Sequence, residues 1–158
     1  MVFMGDSDRA AKLAKDYQLD DVSLHLKLSE EFTDESFSKT LKETQGLIIR
    51  FLKRSKYAQL LYTPFLRETF ASSYRAQVEE FMRLFEKLPS HINGHHHMHL
   101  CANLLLSKSI PGGMRLGRNF SFLAGEKGFL NRLPWPGRSR ACSSISSCGL
   151  FFRPDSVH

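Results

Sequence analysis

The sequence predicts an α/β protein with parallel strands and flanking helices, and three observations lead there. A strand, a helix and a second strand follow one another in under 30 residues at the start of the chain, the signature of a βαβ unit. An apolar stripe at steps of three and four runs from Leu66 to Leu88, as on a long amphipathic helix. Pro89 then ends that helix, and a short strand carries a dense run of histidines at its C-terminal end.

The elements follow in order. Val2-Phe3-Met4 reads as the end of a buried strand. Asp6 or Ser7 can cap a helix over Asp8 to Tyr17, with Ala11, Leu13 and Ala14 facing inward. Gln18 to Asp21 is a loop, and Val22 to Leu26 alternates as a strand. His25 lies near its C-terminal end, where open α/β sheets and β/α barrels place their sites. A helix is expected over Ser38 to Tyr57, with Thr33 or Asp34 as a start and Leu41, Ile48, Phe51 and Leu52 as a stripe that Gly46 weakens. Thr63-Pro64 opens the next helix, whose buried face is Leu66, Phe70, Tyr74, Val78, Phe81, Phe85 and Leu88. His91-Ile92-Asn93 is a short strand, Leu100 to Ser107 a helix, Ile110 to Gly113 a turn and Met114-Arg115-Leu116 a further strand. After Leu133 the many Pro, Gly and Ser residues leave no periodicity, and an irregular, poorly ordered tail is expected over 133–158. No internal repeat is present.

With 158 residues, 42% of them hydrophobic and 24% charged, the chain reads as one globular domain. A domain of this size buries roughly 68–70% of its unfolded surface, enough for a real core. The net charge of +6 invites a nucleic-acid reading. Acidic residues, however, concentrate before Lys87 and the last third is almost purely basic, so the excess belongs to one segment. No helix-turn-helix, zinc-finger or RNP-type pattern accompanies it, and no nucleic-acid partner is expected. The three cysteines, Cys101, Cys142 and Cys148, are odd in number and irregular in spacing. They argue against a disulfide framework and fit a reducing cytoplasm. Met1 to Gly5 has no basic n-region, so no leader is expected, and no apolar run approaches the roughly 20 residues that span a bilayer.

Five of the seven histidines fall between His91 and His99. The run is internal and broken by Met98, unlike a purification tag. Neutral imidazole is the commonest protein metal ligand. His25 alone reads first as a satisfied strand histidine, while for the cluster a solvated loop that binds metal adventitiously is the lesser alternative. Placed on two strand ends at one sheet edge, they can converge on one ion. Two imidazoles and a carboxylate, with open positions for water, suit Zn, Fe, Mn or Mg. A cation bound there acidifies water and polarises a carbonyl, as hydrolysis requires. His95 and His97 point to opposite faces if extended, and His95 and His99 to one face if helical. They cannot all bind one ion, and some must support the ligands or touch substrate.

At these residues the sequence resembles the YdjC-like carbohydrate deacetylases, the family of the chitooligosaccharide deacetylases. Ser23-Leu24-His25-Leu26-Lys27-Leu28 is similar to the family's Gly-Leu-His-Leu-x-Leu strand, and Pro89 to His99 to its Pro-Thr-His-Ile-Asp-Ser-His-His-His-Val-His segment. Gln77 and Phe81 fall where the family has a Gln and an aromatic. The resemblance covers residues 1–132 and implies an incomplete β/α-barrel-like domain of the polysaccharide-deacetylase type. It further implies metal-dependent removal of acetyl groups from amino sugars. His25 and His95 match the family's metal ligands. His97, His99 and Arg115 are candidates for substrate contact or ligand support, Arg115 by its likeness to the family's arginine on a following strand. Asn93 replaces the usual Asp.

The family's Asp-Asp-x-Gly motif, which supplies a metal ligand and the general base, has no counterpart. Asp20-Asp21 precedes the His25 strand and lacks the glycine. By analogy, Met1 falls at the family's second strand and the chain ends early, so it is expected to be truncated at both ends, with impaired activity and no assigned catalytic residue. The expected partners are a divalent ion (Mg, Zn or Mn) and an acetylated oligosaccharide or sugar-lipid, with room for a homodimer. The competing readings are a non-catalytic metal- or sugar-binding remnant and a basic nucleic-acid module.

Overall fold

The computed structural model describes residues 1–34 and 37–117. The expected tail over 133–158, the stretch 118–132, Cys142 and Cys148 lie outside the described residues. Within them a two-stranded parallel sheet is flanked by helices. The described residues close no barrel.

Strand β1 (Leu24–Leu26) pairs in parallel with β2 (Ile92–Gly94), with Leu24 opposite Ile92, His25 opposite Asn93 and Leu26 opposite Gly94. Leu116 adds one parallel bridge to Ile92, where a further strand was expected. Alternation dictates the faces: Leu24, Leu26 and Leu28 are buried in the core, while His25 between them is half-buried.

Val2 and Phe3 are buried as expected and Met4 is half-buried, but the segment forms no strand. Phe3 takes a left-handed φ of 56°, its carbonyl accepts from the Thr33 and Asp34 amides at 3.1 Å, and the Met4 amide donates to Ser7 Oγ at 2.9 Å. The entry into α1 (Ser7–Asp16) turns the backbone away from any ladder. The expected βαβ unit is therefore absent here, and the partner of β1 comes from beyond two helices. Ala11 and Ala14 are buried against α3, but Leu13 is 46% exposed.

Helix α2 (Lys39–Lys53) starts at Ser38, whose hydroxyl accepts from the Leu41 amide at 3.2 Å, as N-caps do. Thr33 instead accepts from the Gly5 amide. The helix ends short of Tyr57, whose amide turns onto Ser55 Oγ at 3.2 Å. Helix α3 (Arg67–Phe85) follows a short 3-10 turn at Pro64–Leu66 and stops where Glu86 turns left-handed, which leaves Leu88 exposed. It buries Phe70, Tyr74 and Phe81 along the expected stripe, together with Ser73 and Gln77. Helix α4 (Ala102–Leu106) is shorter than the Leu100–Ser107 expectation, because the chain from His95 to Leu100 is taken up by tight 3-10 turns. No helix among the described residues is long and apolar enough to cross a membrane.

Candidate metal centre

Both strands of a parallel pair end on the same edge, so the chain leaving β1 and the chain leaving β2 meet there. His25 from β1 and His95 just after β2 stand with ring centroids 5.9 Å apart, edge to face. The structure also brings in a residue the sequence did not single out. Glu30, four residues beyond β1, has Oε1 3.1 Å from His95 Nε2 and 3.6 Å from His96 Nε2. One donor atom each from Glu30, His95 and His96 lies within 4.8 Å of the others.

Two consecutive non-glycine residues, His96 and His97, hold φ near 51° and 59°. This left-handed conformation costs an L-residue about 1–2 kcal/mol, and such strain clusters at functional sites. It folds the chain so tightly that the His95 and His96 rings lie 4.1 Å apart. The His97 ring lies 6.3 Å from that of His99.

His99 is buried, and its Nε2 donates to the Gly117 carbonyl at 3.0 Å. That bond fixes the tautomer and leaves Nδ1 as a buried lone pair with no hydrogen-bond partner among the described residues. Gly94 lies directly against this ring. A Cβ there would come 2.6 Å from both the amide nitrogen and Nδ1 of His99, so the last residue of β2 must be glycine for His99 to pack. The charge of Arg115 acts on Asp21, three residues before β1, and its carbonyl accepts from the Ile92 amide.

Electrostatics follow from this packing. Burial, reinforced by the α-amino group and the rings of His95, His99 and His97, pushes the His25 pKa down. Burial does the same to His99, partly opposed by the Gly117 bond. Both shifts favour neutral imidazole, the metal-binding form. The hydrogen bond from His95, with the charges of His95, Lys27 and His96, holds the Glu30 carboxyl below its ordinary range.

Polar side chains buried beneath the site fix its frame. Gln77 Oε1 accepts from the Lys27 amide at 2.9 Å, and Gln77 Nε2 donates to the Lys27 carbonyl at 3.0 Å. Gln45 Nε2 donates to the carbonyls of Lys27 and Glu30 at 3.0 and 2.9 Å. Ser73 Oγ donates to Gln45 Oε1 at 3.0 Å, joining the two amides. Two helices thereby do for the segment after β1 what a neighbouring strand would do. Beside Glu30 an open depression of about 220 Å³ is lined by Ser29, Glu30, Leu52, Lys53, His96 and Met98. A second, of about 310 Å³, lies between α1 and α3 among ion-paired surface side chains and holds no histidine.

Residues 1–138 match a family model described as YdjC-like protein. No curated protein and no solved structure matches the chain.

Proposed function

The chain belongs to the YdjC-like family, and from that premise we propose that its site removes acetyl groups from N-acetylated amino sugars with the help of a divalent ion held by His25 and His95. The observation that carries this reading is the convergence of these two rings, 5.9 Å apart, from the ends of two parallel strands. The donor set fits the group: the His25 imidazole, kept neutral by burial, stands beside His95 and a carboxylate, a set that suits Zn or Mn and accepts Mg less readily. Bound there, such an ion supplies Lewis-acid polarisation of an amide carbonyl and a more acidic water.

The chain's own residues supply the frame. Gly94 and the Gly117 carbonyl hold His99 rigidly behind the site. His97, His99 and Arg115 serve in this reading as substrate contacts or supports and not as ligands. The substrate is an acetylated oligosaccharide or the sugar head of a glycolipid, and the barrel-like layout of the family is the setting in which these strands belong.

The 158 residues contain no Asp-Asp-x-Gly segment. General-base assistance is worth about 10²–10⁴-fold, so turnover by these residues is expected to be weak. The same observation supports a second reading, a metal- or sugar-binding protein without turnover. Acetate release from diacetylchitobiose, with Zn, Mn or Mg and then with chelator, separates the two. Slow, metal-dependent release that His95→Ala abolishes supports the hydrolase. Metal binding without acetate supports the second reading, and wild-type protein that binds no divalent metal defeats both.

A further inference from the structure

We propose that Glu30 is the carboxylate ligand beside His95 at this divalent-cation site, with His96 as a further imidazole donor in addition to His25, and that buried Lys27 positions the Glu30 side chain. The proposal rests on the reading of this edge as a metal site and adds to it a carboxylate, Glu30, that the sequence motifs did not mark.

The placement of Glu30 is held from both ends. Its carbonyl accepts from Gln45 Nε2 at 2.9 Å, so the backbone is fixed from inside the core. Its carboxylate is divided between two kinds of partner. Oε2 lies 3.7 Å from Lys27 Nζ, and Oε1 faces His95 at 3.1 Å and His96 at 3.6 Å. Oε1 is hydrogen-bonded to His95, and a second ring, His96, converges on the same oxygen from strained left-handed backbone. Two imidazoles and one carboxylate oxygen within 4.8 Å form a nitrogen–oxygen donor set of the kind that binds Zn or Mn.

Lys27 is the second observation. It follows His25 by two residues, and its side chain is only 5% exposed. Lysine is almost never buried without a partner, and here Nζ donates to Met4 Sδ at 3.5 Å and pairs with the far oxygen of Glu30. A buried ammonium on Oε2 turns Oε1 toward the imidazoles. Ser29 adds a third: its hydroxyl is buried without a hydrogen-bond partner among the described residues, and Ser29 lines the same depression as Glu30 and His96. A polar group left unpaired at the wall of a site marks room for a ligand or its water.

The test is Zn titration by calorimetry and Co(II) absorption spectroscopy on the metal-stripped full chain. Wild type is compared with Glu30→Gln, Glu31→Gln, His95→Ala and Lys27→Met, with circular dichroism confirming the fold of each. Changing a residue that merely supports a ligand costs about 10–100-fold in metal affinity. Glu30→Gln is therefore expected to lose at least about tenfold and to alter the Co(II) spectrum, whereas Glu31→Gln leaves both unchanged. An adventitious histidine loop would not respond to Glu30. Lys27→Met is expected to weaken binding in wild type but not in the Glu30→Gln background, since a residue acting through another is non-additive with it. Glu30→Gln that binds like wild type with an unchanged spectrum overturns the proposal while leaving the metal site standing. Equal losses from Lys27→Met in both backgrounds overturn the positioning role. Wild type that binds neither Zn nor Co(II) overturns this proposal and the reading beneath it together.

Discussion

Gln77 grips the backbone of Lys27 at both of its polar groups, accepting from the amide at 2.9 Å and donating to the carbonyl at 3.0 Å across 50 residues of chain. Side-chain amides pair this way only when helix and strand are held in fixed register, and Gln77 is fully buried. The Lys27 carbonyl keeps a second donor in Gln45, but the amide does not. Gln77→Met conserves volume and strands that amide. A buried donor left unsatisfied costs about 1–3 kcal/mol, and urea unfolding should show a loss in that range. A variant as stable as wild type would mean that the clamp does not hold the segment leading to Glu30.

Gly94 is under a steric constraint, not a conformational one. Its backbone is extended at φ −146°, which any residue tolerates, but a Cβ would meet the amide, Nδ1 and Cβ of His99 at 2.6 to 2.7 Å. These are main-chain and ring atoms that cannot swing aside. Gly94→Ala is expected to destabilise by about 1–3 kcal/mol, the cost of overpacking a filled interior. Thermal unfolding measures it, with Gly112→Ala as a control, since nothing lies within 4 Å of a Cβ there.

These sites differ in how readily the sequence disclosed them. The edge carrying His25 and His95 was legible because alternation around Leu24 and Leu26, and Pro89 ahead of Ile92, define where two strands end. Glu30 was not, because it lies in an aperiodic Ser-Glu-Glu loop beside an equivalent Glu31. One signal was present: Lys27 continues the alternation of His25 just past β1, and a charge at a buried position demands an anion nearby. Val2-Phe3-Met4 misled because three apolar residues are too few to separate a strand from any buried segment. Leu13 and Leu88 misled because an apolar stripe does not reveal where the covering surface ends. The buried Gln45–Ser73–Gln77 network holds the chain leaving β1 at Lys27 and Glu30, and hydrophobic periodicity does not register such buried polar side chains.

Burial of His99 has a consequence for pH. Its folded pKa lies below the ordinary value of 6.5, chiefly by burial. Between those two values the unfolded chain binds a proton that the folded chain refuses. Stability is therefore complete above pH 6.5 and falls as the pH drops through the folded pKa. The slope from one group cannot exceed about 1.4 kcal/mol per pH unit. Urea unfolding of metal-stripped protein at a series of pH values should show this fall, and His99→Gln should flatten it. An unchanged profile in the variant would assign the fall to other groups.

Cys101 is buried and free, and desolvation pushes its thiol up to about 12. The thiolate is the reactive form, so at neutral pH this sulfur is both shielded and protonated. Iodoacetamide labelling followed by mass spectrometry of the peptide carrying Cys101 should show little modification in native protein and rapid modification in urea. Its neighbours give the reason: the Cys101 amide is bonded to the Met98 carbonyl, and the Cys101 carbonyl accepts from Leu104 and Leu105, so the residue joins the histidine turns to α4. Exposing the sulfur requires that joint to open. If native Cys101 labels as fast as the denatured chain, the turn from His95 to Leu100 is not packed as described, and the convergence of His95 and His96 on Glu30 loses its support.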